Sequence, residues 1–216
     1  LQGDSWLFPL LAGNPVTTYS PLYYWISAIL AWASAGLVAT HDVARFTTAM
    51  FTALAILWTA RAAGRLSGKA TRTPAALLTL GTLGLVVHAH EAQPFAAVMA
   101  MQALCLAGLT RVPQKPVKGS LQAAAGLAGA FLAGGPGGLL LTLPLLVIVG
   151  ATSHDFRTPR ISGALMLSLA VSLALCAIWP WLLGQQAPEL FEAWWHQAWW
   201  GFSHSHDAYQ EIFELA

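Results

Sequence analysis

SLQAAAGLAGAFLAGGPGGLLLTLPLLVIVGA, residues 120–151, carries no charged side chain over its whole length. A membrane-spanning helix needs about 20 apolar residues, with a range of roughly 17 to 25. This stretch is too long for one crossing, and Gly134-Gly135-Pro136-Gly137-Gly138 breaks it near its middle. It reads as two short spans joined by a tight turn. A phosphate-cradling reading of the glycines fails, because the Lys-Ser/Thr pair and the strand-turn-helix setting of a P-loop are missing.

Outward from this stretch, apolar runs alternate with short basic loops. Nine of the ten basic residues fall in three places: Arg61, Arg65, Lys69 and Arg72; Arg111, Lys115 and Lys118; Arg157 and Arg160. Arg45 stands apart. Spans are expected at Val43–Ala60, Pro74–His90, Pro94–Thr110, twice within Ser120–Ala151, and at Ile161–Leu183. With six crossings, all three basic loops fall on one side, which by the bias of Lys and Arg is cytoplasmic. Eight of the nine acidic residues fall on the other side, Asp155 being the exception. Most Trp residues lie near that outer face, where an amphipathic indole prefers the headgroup boundary.

Composition agrees. The chain has 216 residues, 56% hydrophobic and 9% charged, with a mean hydropathy of +0.60. A soluble domain carries about 25% charged residues. No basic patch with interleaved aromatics points to nucleic acid. Cys105 and Cys176 lie in apolar runs and read as buried or lipid-facing thiols rather than a disulfide. No signal peptide is recognisable, and the ends read as those of a fragment. The fold class is an all-α polytopic transmembrane helical bundle with added interfacial helices. Residues 1–42 form an outer juxtamembrane loop, 43–183 the bundle, and 184–216 an outer loop with a Trp-rich amphipathic helix. Pro21–Thr40 is long enough to span, but its Tyr23, Tyr24, Trp25 and Trp32 also suit the interface. Pro188–Phe202 reads as interfacial, with Leu190, Trp194 and Trp195 apolar and Glu189, Glu192 and His196 nearer water.

Gly3-Asp4-Ser5-Trp6-Leu7-Phe8-Pro9, Leu11-Ala12-Gly13-Asn14-Pro15 and Ser20-Pro21-Leu22-Tyr23-Tyr24-Trp25 together resemble the first outer loop of one family. That family is the bacterial lipid-linked glycosyltransferases of the protein O-mannosyltransferase and aminoarabinose transferase type (glycosyltransferase family 39, GT-C fold). Asp42-Val43-Ala44-Arg45-Phe46 resembles its A-x-R-L-P motif, Leu132-Ala133-Gly134-Gly135-Pro136 its L-T-K-G-P turn, and Pro180-Trp181 with the Trp-rich stretch its following segment. The resemblance runs in order along essentially the whole chain. It implies a membrane enzyme of the bacterial inner membrane. This enzyme would transfer a sugar from a polyprenyl-phosphate donor to a lipid or protein acceptor at the periplasmic face. It also implies that Pro21–Thr40 lies in the interface and that the principal catalytic carboxylate precedes Leu1. The family's E-K-P-P is Thr18-Tyr19-Ser20-Pro21 here and its T-K-G-P is Ala133-Gly134-Gly135-Pro136. Two lysines suited to a donor phosphate are therefore missing, which leaves another donor, a metal-assisted site or a degenerate member open.

Sugar transfer from a phosphate needs a carboxylate for the acceptor hydroxyl and positive charge or a metal for the leaving phosphate. His90 and Glu91, at the outer end of two spans, are the catalytic candidates; a wet helical cap is the plainer reading. Arg45 and Tyr19 are candidates for the donor phosphate, against roles as anchors. Gln93 and Trp195 are candidates for substrate binding. Glu192 and His196, at i and i+4, share a helix face and suit a divalent ion such as Zn, Mn or Mg. His204-Ser205-His206-Asp207 reads rather as a solvated tail. The competing class is a non-catalytic membrane scaffold or a transporter subunit. A transporter calls for charges buried at mid-span, and the six expected spans have none there.

Overall fold

The computed structural model describes residues 6–8, 10–11, 14–15, 20–34, 38–82, 92–152 and 158–203. Seven α-helices dominate them: α1 (Leu22–Ala33), α2 (Thr40–Leu66), α3 (Arg72–Leu80), α4 (Phe95–Leu109), α5 (Pro116–Thr152), α6 (Pro159–Gln186) and α7 (Pro188–Ser203). A 3₁₀ turn, Lys69–Thr71, precedes α3. β1 (Leu10–Leu11) and β2 (Asn14–Pro15) pair antiparallel, Leu10 opposite Pro15.

Among the described residues three helices are long and apolar enough to cross a membrane: Thr40–Leu66, Pro116–Leu140 and Ile161–Gln186. The chain is thus a predominantly helical membrane protein, with three such helices described where six crossings were expected. α1, with 12 residues, is about 18 Å long, short of a hydrocarbon core of about 30 Å. Residues 83–90 of the expected Pro74–His90 crossing lie outside the described residues, and the part before them holds α3 and its C-terminal turn.

α2 starts earlier than expected and runs through Arg61 and Arg65. Arg is a good helix former, and each side chain finds a place along the helix. The Arg61 guanidinium carbon lies 4.6 Å from the centroid of the Trp58 ring. Arg65 donates to the Ala107 carbonyl on α4. The helix stops at Ser67-Gly68, where Gly68 takes φ 95°.

α5 is interrupted at Gly135, whose φ of 60° and ψ of −147° are non-helical and essentially reserved for glycine. The second limb, 136–152, folds back along the first. A Cβ at Gly138 would run into the Ala130 carbonyl. Further along, Leu127 and Leu143 face one cavity, as do Ala123 and Val147. The tight turn expected at the glycines is present, closed by the residue that tolerates its backbone angles.

α4 packs most extensively on α5, next on α2, and α5 then packs on α6. The first limb of α5 is central: 72% of its most apolar window is buried, against 17% for α6. Small residues bring α4 and α5 together, since a Cβ at Gly108 would meet Ala123, and one at Gly126 would meet Cys105. Arg61, Arg65, Arg72 and Arg111 converge at one end of the bundle. Arg65 is within electrostatic reach of Arg61, Arg72 and Arg111, and Leu109 and Val112 share a core cluster with Ile161 of α6.

Candidate functional site

The opposite end holds the candidate site. Ser20 and Pro21 are buried just ahead of α1. Tyr23, one turn on, is buried and donates to the Ala44 carbonyl at 2.7 Å. Thr48 Oγ1 lies 2.9 Å from Tyr23 Oη and also donates to the same Ala44 carbonyl at 3.3 Å. The Gln93 N–H in turn donates to Thr48 Oγ1 at 3.0 Å. One hydrogen-bond network therefore joins the turn before α4, α2 and α1. Burial raises the Tyr23 phenol above its ordinary pKa, partly offset by the hydrogen bond with Thr48, so it remains a neutral donor.

The Gly135 turn lies beneath α7 and the start of α1. A Cβ at Gly135 would stand 3.2 Å from Ser20 Oγ and 3.2 Å from Trp194 Cζ2. The Ser20 hydroxyl is buried with no hydrogen-bond partner, an unusual state for a buried polar group. Trp194, only 2% exposed, meets Trp179 edge to face at 4.9 Å and Phe131 at 6.2 Å. Trp179 Nε1 donates to the Leu7 carbonyl at 2.8 Å. Trp25 Nε1 donates to the Trp6 carbonyl at 2.6 Å. Tryptophans from α1, α6 and α7 thus pin the N-terminal segment and the Gly135 turn to one end of the bundle.

The residues singled out from sequence divide into three groups. Tyr19, His90, Glu91, His204, His206 and Asp207 lie outside the described residues. Arg45 and Gln93 reach the same end of the fold: Thr48, which accepts from the Gln93 N–H, lies one turn beyond Arg45 on α2. Arg45 is exposed and 3.9 Å from Asp42, which also stands 3.2 Å from His41 Nε2. Trp195, Glu192 and His196 lie on the exposed side of α7. Trp195 stacks on Phe191 at 6.1 Å and meets Trp199 edge to face at 5.6 Å. Glu192 and His196 supply two ligands where a catalytic zinc uses three. Among the described residues no group of three metal-ligating side chains occurs.

Ser20, Thr48 and Trp194 are the residues of this end that sequence reasoning left without a polar or positioning role. Thr47, Thr48 and Thr52, set among apolar residues of α2, were the available signal for buried hydroxyls. Ser20 had none, since its surroundings come from residues far along the chain.

Searches of protein-family models, of curated proteins and of solved structures return no match to this chain.

Proposed function

We propose that this chain is part of a membrane glycosyltransferase of GT-C type that moves a sugar from a polyprenyl-phosphate donor to a lipid or protein acceptor. One observation carries the reading. Ser20-Pro21 and Gly134-Gly135-Pro136 are the two segments that align with the family's donor-phosphate motifs. They are remote in sequence, yet Ser20 Oγ lies 3.2 Å from where a Cβ on Gly135 would stand. The positive-inside bias puts the basic end in the cytoplasm, hence the site at the periplasmic face of a bacterial inner membrane. In this reading 136–152 and Pro74–His90 complete six crossings with α2, α4, the first limb of α5 and α6.

The chemistry needs few groups. An acceptor hydroxyl attacks the anomeric carbon, the bond from that carbon to the donor phosphate oxygen breaks, and polyprenyl phosphate leaves. A carboxylate takes the hydroxyl proton: Glu91 with His90 beside it, or the acid that the family carries ahead of Leu1. The Ser20 hydroxyl and the Arg45 guanidinium are the groups available to the phosphate as charge gathers on it. Trp195 offers a ring face to the sugar. The test is transfer of label from radiolabelled polyprenyl-phosphate sugars to lipid or protein, in membranes holding the full-length protein, with and without chelator. Label on an acceptor supports the enzyme. No transfer from any donor by folded protein would favour a non-catalytic scaffold.

A further inference from the structure

An apolar cavity of about 290 Å³ lies between the two limbs of α5, the end of α4 and the first half of α6. Leu109, Ala123 and Ser162 mark its end toward the basic loops, and Leu127, Leu143 and Leu169 the interior. Its two hydroxyls are already used, Ser162 donating to the Thr158 and Pro159 carbonyls and Ser168 to the Leu165 carbonyl. The walls therefore favour hydrocarbon. Two lining residues, Val147 and Met166, are 67% and 73% exposed, so the cavity opens sideways, toward the lipid around α6.

Its charged end is cationic. Arg111 follows Leu109 by two residues and donates to the side-chain carbonyl of Gln122, next to Ala123. Lys118 lies one turn before Gln122 on the same face of α5. Arg65 is within electrostatic reach of Arg111. The described acidic residues, Asp42, Glu189 and Glu192, all sit on elements of the other end. From the hydrocarbon walls, the lateral opening and the clustered cations at one end we infer that this cavity takes one acyl chain of an anionic phospholipid, its phosphate lying against Arg111 and Lys118. The inference requires a membrane around the bundle and is independent of any transfer activity.

The experiment is native mass spectrometry of the full-length protein, released from mixed bilayers of phosphatidylglycerol and phosphatidylcholine with identical acyl chains. The expected result is preferential retention of phosphatidylglycerol. Arg111→Gln and Lys118→Gln each reduce that preference by about fivefold. Val147→Trp, at the exposed mouth where folding is undisturbed, and Ala124→Trp, in the interior, lower retention of both lipids. Equal retention of the two lipids by the wild type overturns the inference. So does unchanged lipid retention by folded Val147→Trp. Displacement of phosphatidylglycerol by an equimolar polyprenyl phosphate, with the same dependence on Arg111, would overturn it in favour of an isoprenoid ligand.

Discussion

Gly126 of α5 lies so close to Cys105 of α4 that an added Cβ would come 2.6 Å from the Cys105 Cα. Backbone, not a flexible side chain, occupies that space, so the helices must separate to admit a methyl group. Close approach through small residues is a main source of helix association where apolar burial gains nothing over lipid. Gly126→Ala should destabilise the protein by about 1–3 kcal/mol. Gly163 of α6, with nothing within 4 Å of its Cβ position, is the control: Gly163→Ala should be neutral or stabilising by up to about 1 kcal/mol. Thermal unfolding in detergent compares them. Equal melting temperatures for the two variants would show that the α4–α5 contact tolerates separation.

Gly135→Ala should act on structure and activity together. Its φ of 60° and ψ of −147° would cost any other residue about 1–3 kcal/mol, and the new methyl would press on Ser20 and Trp194. Lower stability with a loss of sugar transfer exceeding that of Gly126→Ala at equal unfolding would tie the turn to the site. Wild-type transfer by Gly135→Ala would remove the turn from it.

Much of the fold was legible because lipid imposes a coarse rule: uncharged stretches of a given length become helices, and basic loops separate them. The break at Gly135 was legible for the same reason, since no single helix of that length fits a bilayer. The ends of α2 were less so. Arg61 and Arg65 look like loop residues in sequence, but the ring of Trp58 and the carbonyl of Ala107 hold them within a continuing helix. The site was legible only in part. Arg45 and Gln93 share an end because turn sidedness fixes it, whereas the approach of Ser20 and Trp194 to Gly135 depends on how α1 and α7 close over the bundle.

Tyr23 and Thr48 provide a test of that closure. Tyr23→Phe removes the donor to the Ala44 carbonyl, and Thr48→Val removes the hydroxyl joining Tyr23 to the Gln93 N–H. Each should cost about 0.5–1.5 kcal/mol. Because the bonds form one network, the double variant should cost less than the sum of the two, with a coupling of at least about 0.5 kcal/mol. Strict additivity in a double-mutant cycle of unfolding free energies would mean that the bonds act independently.

Arg45 is the described residue whose role in transfer can be separated most cleanly from structure. It is exposed, and its contact with Asp42 at 3.9 Å is long, so its loss should leave folding unchanged, surface ion pairs contributing about 0–1 kcal/mol. If its guanidinium meets the donor phosphate, Arg45→Ala should lower transfer by roughly 10- to 100-fold, the loss of a charged hydrogen bond of about 1.5–3 kcal/mol. Arg45→Lys should recover part of it, since an ammonium keeps the charge but not the forked geometry. Glu91→Ala should lower transfer by roughly 100-fold or more if that carboxylate is the base, and His90→Ala by less. Lys69→Gln, at the basic end, serves as the control. Rates from the labelled-donor assay, taken at matched expression, decide the matter: Arg45→Ala, His90→Ala and Glu91→Ala all as active as Lys69→Gln would place the chemistry on other residues.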